Sequence, residues 1–181
     1  MAVRPILVVG NPVLRGKAKR VTQFDRALHR LLDDMIETMK AAPGVGLAAP
    51  QIGIPLRVAV IEIDDAITEI INPEIIKRTG DVEFHEGCLS VPGYWGSVKR
   101  AEKVTIKARD RNGKAVRVRG EGLLGQALQH ETDHLNGLLY IDHDGVVDTL
   151  RRSKPERTSE PGTGGEGDSD AGDAGHPRES E

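Results

Sequence analysis

With one cysteine, Cys88, in 181 residues the chain cannot form an intramolecular disulfide, so it has to fold on its apolar core. Aromatic side chains make up only 3% of it, too few for a platform on which bases stack. Nor does any apolar run reach the length needed to cross a bilayer. The apolar stretch from Pro5 to Val9 is broken at once by Gly10-Asn11-Pro12, which is too short for a secretory segment. The charge balance, 25 basic against 28 acidic side chains for a net of −3, lacks the basic excess that accompanies nucleic-acid binding. There is no internal repeat. These absences lead us to expect a cytoplasmic, monomeric protein with no membrane and no specific nucleic-acid partner.

The apolar content, 38%, is enough for one core. Phe24, Leu28, Leu31, Leu32, Met35, Ile36 and Met39 recur at helical spacing and predict an amphipathic N-terminal helix ending before Pro43-Gly44. Residues 57–63 and 70–72 are β-branched and apolar and read as strands. Val104, Ile106 and Ala108 alternate with polar residues up to a turn at Arg111-Asn112-Gly113, and Val116 and Val118 resume the alternation, which predicts a hairpin. Leu123, Leu124, Ala127, Leu128, Leu135 and Leu138 mark a second helix that Gly137 can cap. The expected fold class is α+β, with antiparallel strands packed around this C-terminal helix. From Ser153 onward glycine, serine, proline and acids dominate. The expected division is therefore a folded domain over 1–152 and a disordered acidic tail over 153–181.

The second helix carries His130-Glu131-Thr132-Asp133-His134. Two imidazoles one turn apart with a carboxylate between them can hold a metal and activate a water on it. Such a site needs a third protein ligand and an open position. Cys88, in Glu86-Gly87-Cys88-Leu89-Ser90, is a candidate thiolate, although a lone cysteine is more often an inert small hydrophobe than a ligand. Gly87 lets the backbone there pass close to a neighbour, and Pro92-Gly93 reads as a turn. The glycines flanking Val45 suit either a plain loop or an extended peptide pairing through main-chain hydrogen bonds. Gln51 reads equally as a solvated loop residue. Tyr94 and Trp95 suit the rim of a site or ordinary packing, and Asp133 receives no role.

Three stretches, Gly44-Val45-Gly46-Leu47-Ala48-Ala49-Pro50-Gln51-Ile52-Gly53, Glu86-Gly87-Cys88-Leu89-Ser90 and Gln129-His130-Glu131-Thr132-Asp133-His134-Leu135, closely resemble the three motifs of peptide deformylases, in the same order and at similar spacing. The resemblance runs from about Ile6 to about Asp142 and stops before the tail. It implies hydrolysis of the N-formyl group from the initiator methionine of new polypeptides. It also implies Cys88, His130 and His134 as ligands of one Fe2+ ion, with Zn2+, Ni2+ or Co2+ as substitutes. Glu131 is then the general base, and the Leu89 N–H and the Gln51 amide steady the charge that develops on the formyl oxygen. Val45, Gly46 and Gly87 are expected to bind the peptide. HExxH alone is shared with zinc peptidases, but a cysteine ligand would be unusual there. Some bacterial members end in a basic helix that contacts the ribosome; here only Arg151, Arg152, Lys154 and Arg157 remain of such charge, so ribosome proximity is expected to be transient.

Overall fold

The computed structural model describes residues 2–153; apart from Ser153, the expected acidic tail lies outside the described residues. The elements are helix α1 (Arg26–Ala41), strands β1 (Gly46–Ala48), β2 (Val58–Ile63), β3 (Ala66–Thr79), β4 (Val82–Cys88), β5 (Val91–Arg100), β6 (Lys103–Arg109) and β7 (Ala115–Glu121), helix α2 (Gly122–Leu135), a short helix α3 (Val146–Thr149) and strand β8 (Arg151–Arg152). Single 3-10 turns stand at Pro12–Arg15, Ala49–Ile52 and Tyr140–Asp142. The fold is α+β with antiparallel sheets, as the patterning predicts.

Helix α1 starts where Asp25 accepts the Ala27 and Leu28 N–H groups at 2.9 and 3.1 Å, a cap worth about 1 kcal/mol. Leu28, Leu32, Met35 and Met39, three or four residues apart, turn to one side and are buried against Leu47, Val58 and Val60. Helix α2 lies on the opposite face of the same sheet. Its Ala127, Leu128 and Leu135 are buried with Ala48, Ile61, Val104 and Ile106, each large side chain adding about 1.5–3 kcal/mol of apolar transfer. Strands β1-β2-β3-β6-β7, in that order, make one sheet, and β4-β5-β8 the other. The first sheet therefore has α1 on one side of β1 and β2, and α2 on the other.

Several sequence expectations shift. Residues 70–72 belong to a strand of 14 residues, because Asp64 and Asp65, both at positive φ (50° and 62°), form a two-residue hairpin that returns the chain along β2. That strand runs through Asn72-Pro73, where proline interrupts the ladder and the register shifts. Asn72 replaces the missing bonds with its carboxamide, which takes the Val21 N–H at 2.8 Å and donates to the Val21 carbonyl at 2.9 Å. Pro92-Gly93 is not the turn: both lie inside β5, and the chain reverses at Leu89-Ser90. Leu123 and Leu138 are exposed, one at the mouth of a cleft and the other beyond the end of α2, so neither joins the inward stripe. Gly137 behaves as expected. At φ 80° it donates to the His134 carbonyl while Leu138 donates to that of Asp133, and this pair of bonds closes the helix just after its last histidine. Among the described residues no helix is long and apolar enough to cross a membrane.

Candidate metal centre

The α2 helix places His130 and His134 one turn apart on the side facing the β4 edge of the second sheet, and β4 ends on Cys88. Their donor atoms converge. The Cys88 Sγ lies 3.3 Å from Nε2 of His134, which lies 3.2 Å from Nε2 of His130, and the three sit within 4.8 Å of one another. Cys88 is half-buried, not an inert core thiol. It receives the Ser90 N–H at 3.4 Å and the Gln51 Nε2 at 3.7 Å.

Three lone-pair donors at this spacing repel unless a cation or shared protons lie between them. Two features favour a cation. Burial pushes the His134 imidazole well below its ordinary pKa, so it is neutral and able to donate a lone pair. Burial acts the same way on His130, but hydrogen bonds to Cys88 and Glu86 outweigh it and hold a proton there well above the usual range. A proton held on an imidazole that faces Cys88 is what a divalent ion displaces on binding. The donor set thus fits one metal ion.

Behind His130 stands a group that sequence reasoning missed. Glu86, 1% exposed, takes the His130 Nδ1 at 2.9 Å, so Nε2 is the nitrogen turned toward the centre. Burial alone would push the Glu86 carboxyl up, but hydrogen bonds from Arg100 and His130 draw it below the ordinary range. Arg100 grips both Glu86 oxygens and reaches Asp133 Oδ2 at 2.8 Å, which in turn meets His143 Nε2 at 2.8 Å. Asp133, left without a role in the sequence reading, therefore helps hold Arg100. Glu86 had one legible signal: in a strand it shares the face of Cys88, two residues on. Arg100 and His143 had none, since both meet the site only through the fold.

Glu131 is 3% exposed, and its Oε2 has no hydrogen-bond partner; burial pushes the carboxyl up to about 7. Among the described residues the other buried side-chain nitrogen or oxygen without a partner is His134 Nδ1. Gly46 is what makes room for this carboxyl: a Cβ there would lie 2.9 Å from Glu131 Cδ and closer still to Oε1. Gly44 likewise gives way to the Leu89 side chain, and Gly87 to the Trp95 ring at 3.0 Å. The missing Cβ at each position is taken up by a neighbouring side chain, and all three glycines also line the cleft described below. Gln51 is buried, with Oε1 accepting the Ala48 N–H at 2.9 Å and Nε2 donating to Ser90 Oγ at 3.1 Å. It is an anchored group, not a solvated loop residue.

A cleft of about 400 Å³ opens over the centre, lined by Val45, Gly46, Gln51, Gly87, Cys88 and Leu89 on one side and by His130 and Glu131 on the other. That is the size of a small-ligand site. Tyr94 and Trp95 form part of its rim, which decides between the two readings the sequence left open. His134 alone of the predicted residues lies behind the wall.

The polypeptide deformylase family profile matches residues 3–152. A peptide deformylase of Dehalococcoides mccartyi is 52% identical over 158 residues, 86% of this chain and 95% of that protein. One from Heliobacterium modesticaldum is 55% identical over 142 residues, 78% of this chain and 94% of its own length. Among solved structures, a peptide deformylase from Legionella pneumophila superposes with a TM-score of 0.77 at 53% identity, covering 78% of this chain and 86% of that one. Another, from Synechococcus elongatus in complex with actinonin, has a TM-score of 0.75 at 42% identity and covers 76% of each chain.

Proposed function

The chain belongs to the polypeptide deformylase family, and from that membership we propose that Cys88, His130 and His134 hold a ferrous ion while Glu131 moves the proton of the reaction. The reaction itself is hydrolytic removal of the N-formyl group from newly made polypeptides, giving formate and a free amine. The enzyme is metal-dependent. One observation carries the assignment of roles: three convergent donors stand beside a buried carboxylate oxygen that has no partner.

A divalent ion in that position supplies Lewis acidity, lowering the pKa of a water toward neutrality and polarising the formyl oxygen. The remaining work falls to side chains. Glu131 Oε2 accepts the proton of the attacking water and returns it to the departing amine nitrogen, and burial, which raises the affinity of this carboxyl for a proton, suits it to both transfers. Glu86, itself held by Arg100, fixes the His130 ring. As the formyl carbon becomes tetrahedral, the Leu89 N–H and the Gln51 amide, both at the cleft wall, donate to its oxygen; such donors are worth roughly 3 kcal/mol each.

The peptide is proposed to lie between two sheet edges. Strand β1 ends the first sheet and β4 the second, and Val45, Gly46 and Gly87 along them face the cleft. Unpaired strand edges accept an extended chain through main-chain hydrogen bonds. The family match, which ends at residue 152, supports 1–152 as the catalytic unit. We propose that the protein works as a cytoplasmic monomer with only transient ribosome contact.

Formate release from a formyl-methionyl peptide, run beside the unformylated peptide, tests this reading, and a release rate no higher than that of the buffer would overturn it. Iron is tested separately. One thiolate and two imidazoles also accept zinc, nickel or cobalt. Air should inactivate an iron-loaded preparation faster than a nickel-loaded one, and equal decay would remove iron from the assignment.

A further inference from the structure

The net charge of −3 conceals a division of charge within the molecule. Residues 154–181 hold eight acidic and three basic side chains, so residues 1–153 carry 22 basic against 20 acidic, a net of +2. Seven of those 22 cations lie on one sheet face. Helix α1 packs mainly against β1 and β2, burying Ile71 at the near part of β3 and touching the β6–β7 turn through Asp33 and His29, while α2 covers the other side of the sheet. Beyond α1, the outer face of β3, β6 and β7 is therefore uncovered among the described residues.

The strand registers fix what stands there. Glu74, Lys107 and Arg117 are cross-strand neighbours, as are Lys77, Thr105 and Arg119, and Thr79, Lys103 and Glu121. Arg109 continues the β6 row, and Arg20 reaches in from the N-terminal segment to bind Glu74 at 3.1 Å. All seven cations are exposed. Only two acids answer them. Glu74 is shared between Arg20 and Lys107, and Glu121 meets Lys103. Among the described residues Lys77, Arg117 and Arg119 have no acidic partner, and Arg109 reaches only the Gly113 carbonyl. A shallow cavity of about 420 Å³ lies among Arg20, Glu74, Lys107, Arg109 and Arg117.

For a face whose only partner is water this arrangement is unfavourable. Lys107 and Arg117 oppose each other directly, a placement of like charges that disfavours an antiparallel pair, and the Glu74 that meets Lys107 is itself shared with Arg20. An external polyanion removes the penalty. Along a strand, same-face side chains repeat about every 7 Å, and across strands about every 5 Å, spacings comparable to those of phosphates on a nucleic-acid strand. The rows contain no aromatic side chain, so the face lacks the means to stack bases and would read no sequence.

We propose that the outer face of β3, β6 and β7 binds the phosphate backbone of structured RNA without sequence preference. The choice of RNA over other polyanions rests on the assigned reaction, because a substrate that is a newly made polypeptide is found beside RNA. None of the seven cations lines the catalytic cleft, so backbone binding and hydrolysis are separable. The absence of a basic excess in the composition excludes a chain that is cationic throughout, but not one cationic face.

The test uses the full chain, a fluorescently labelled RNA hairpin and anisotropy titration. Engagement of about five phosphates gives a log–log salt slope near −4.5, so affinity should fall several hundredfold between about 50 and 200 mM salt. The triple variants K77E/R117E/R119E and K77Q/R117Q/R119Q should each weaken RNA binding at least tenfold. Their kcat/KM on a formyl-methionyl tripeptide should stay within twofold of the parent, which separates failure of this proposal from failure of the catalytic assignment and shows that the variants are folded. No binding at about 50 mM salt would overturn the proposal. So would undiminished binding by both variants, or binding to phosphatidylglycerol vesicles in place of the RNA.

Discussion

At the scale of single residues, the site depends on what each group is denied. Glu131 Oε2 has no partner and the carboxyl is buried, so it is held ready for a proton and not neutralised by an ion pair. Glu131→Ala should retain metal at close to parental stoichiometry while turnover falls at least a hundredfold, about 2.7 kcal/mol in the barrier; metal content by atomic emission and formate release measure the two. A parallel loss of metal would make Glu131 a ligand. Gly46→Ala is the complementary change. Its new Cβ would overlap the Glu131 carboxyl, which must swing away from the centre, so kcat should drop tenfold or more while the far side of the metal site is untouched. Unchanged steady-state kinetics would show that the β1 backbone yields instead.

The elements determine which of these groups meet. Helix α2 carries two of the proposed ligands and the proposed base, but the third proposed ligand arrives at the end of β4, and the support for His130 comes from Glu86 on the same strand and Arg100 at the end of β5. Glu86→Gln should speed metal loss to a chelator by tenfold or more, the usual range when such an outer partner is removed; a chelation half-life equal to the parent's would reduce Glu86 to a packing role. Farther away, helix α1 holds the N-terminal segment through Asp34, which accepts from the Ala2 N–H at 2.8 Å and from the Arg4 guanidinium at 2.7 Å. The hydrogen bond from Arg4 outweighs burial and lowers the Asp34 pKa below its ordinary 3.8. A depressed carboxyl stabilises the fold fully above its unfolded value and loses that contribution as pH falls through the folded value. The stability difference between the parent and Asp34→Asn should therefore be constant near neutrality and shrink below about pH 4, as urea midpoints across pH will show. A difference that persists at pH 2 would assign the effect to shape and not to charge.

At the scale of the whole molecule, chemistry and charge occupy different regions. Every proposed ligand, donor and base lies between Val45 and His134, and the family match closes at residue 152. Deletion from Pro155 onward should leave kcat/KM for a short formyl-methionyl peptide within about twofold of the parent, under roughly 0.5 kcal/mol in transition-state terms. A tenfold loss on that small substrate would mean that the acidic segment braces or covers the cleft. The described part of the chain, by contrast, cannot be trimmed at its C-terminal end without cost: β8 pairs with Tyr94 and Trp95, so Arg151 and Arg152 support the rim of the cleft.

The metal helix, its closing glycine, the first helix and the β6–β7 hairpin were legible in the sequence because each depends on local periodicity or on a turn whose residues carry their own conformational preference. The proposed ligands, base and Gln51 stand in short motifs that a sequence displays, although Cys88 and Gln51 stood out only through the family resemblance. Other features depend on pairing across many residues. Strand β5 was hidden because Pro92-Gly93 looks like a turn until β4 pairs alongside it. The buried carboxylate of Glu86 looked like any acid before Arg100 came across 14 positions to meet it. The glycines at 44, 46 and 87 announced close approach but not by what, since only the packed molecule brings Leu89, Glu131 and Trp95 against them. Local sequence determines which groups are available and which elements hold them, whereas burial and partnership set their pKa values, and both are properties of the tertiary structure alone.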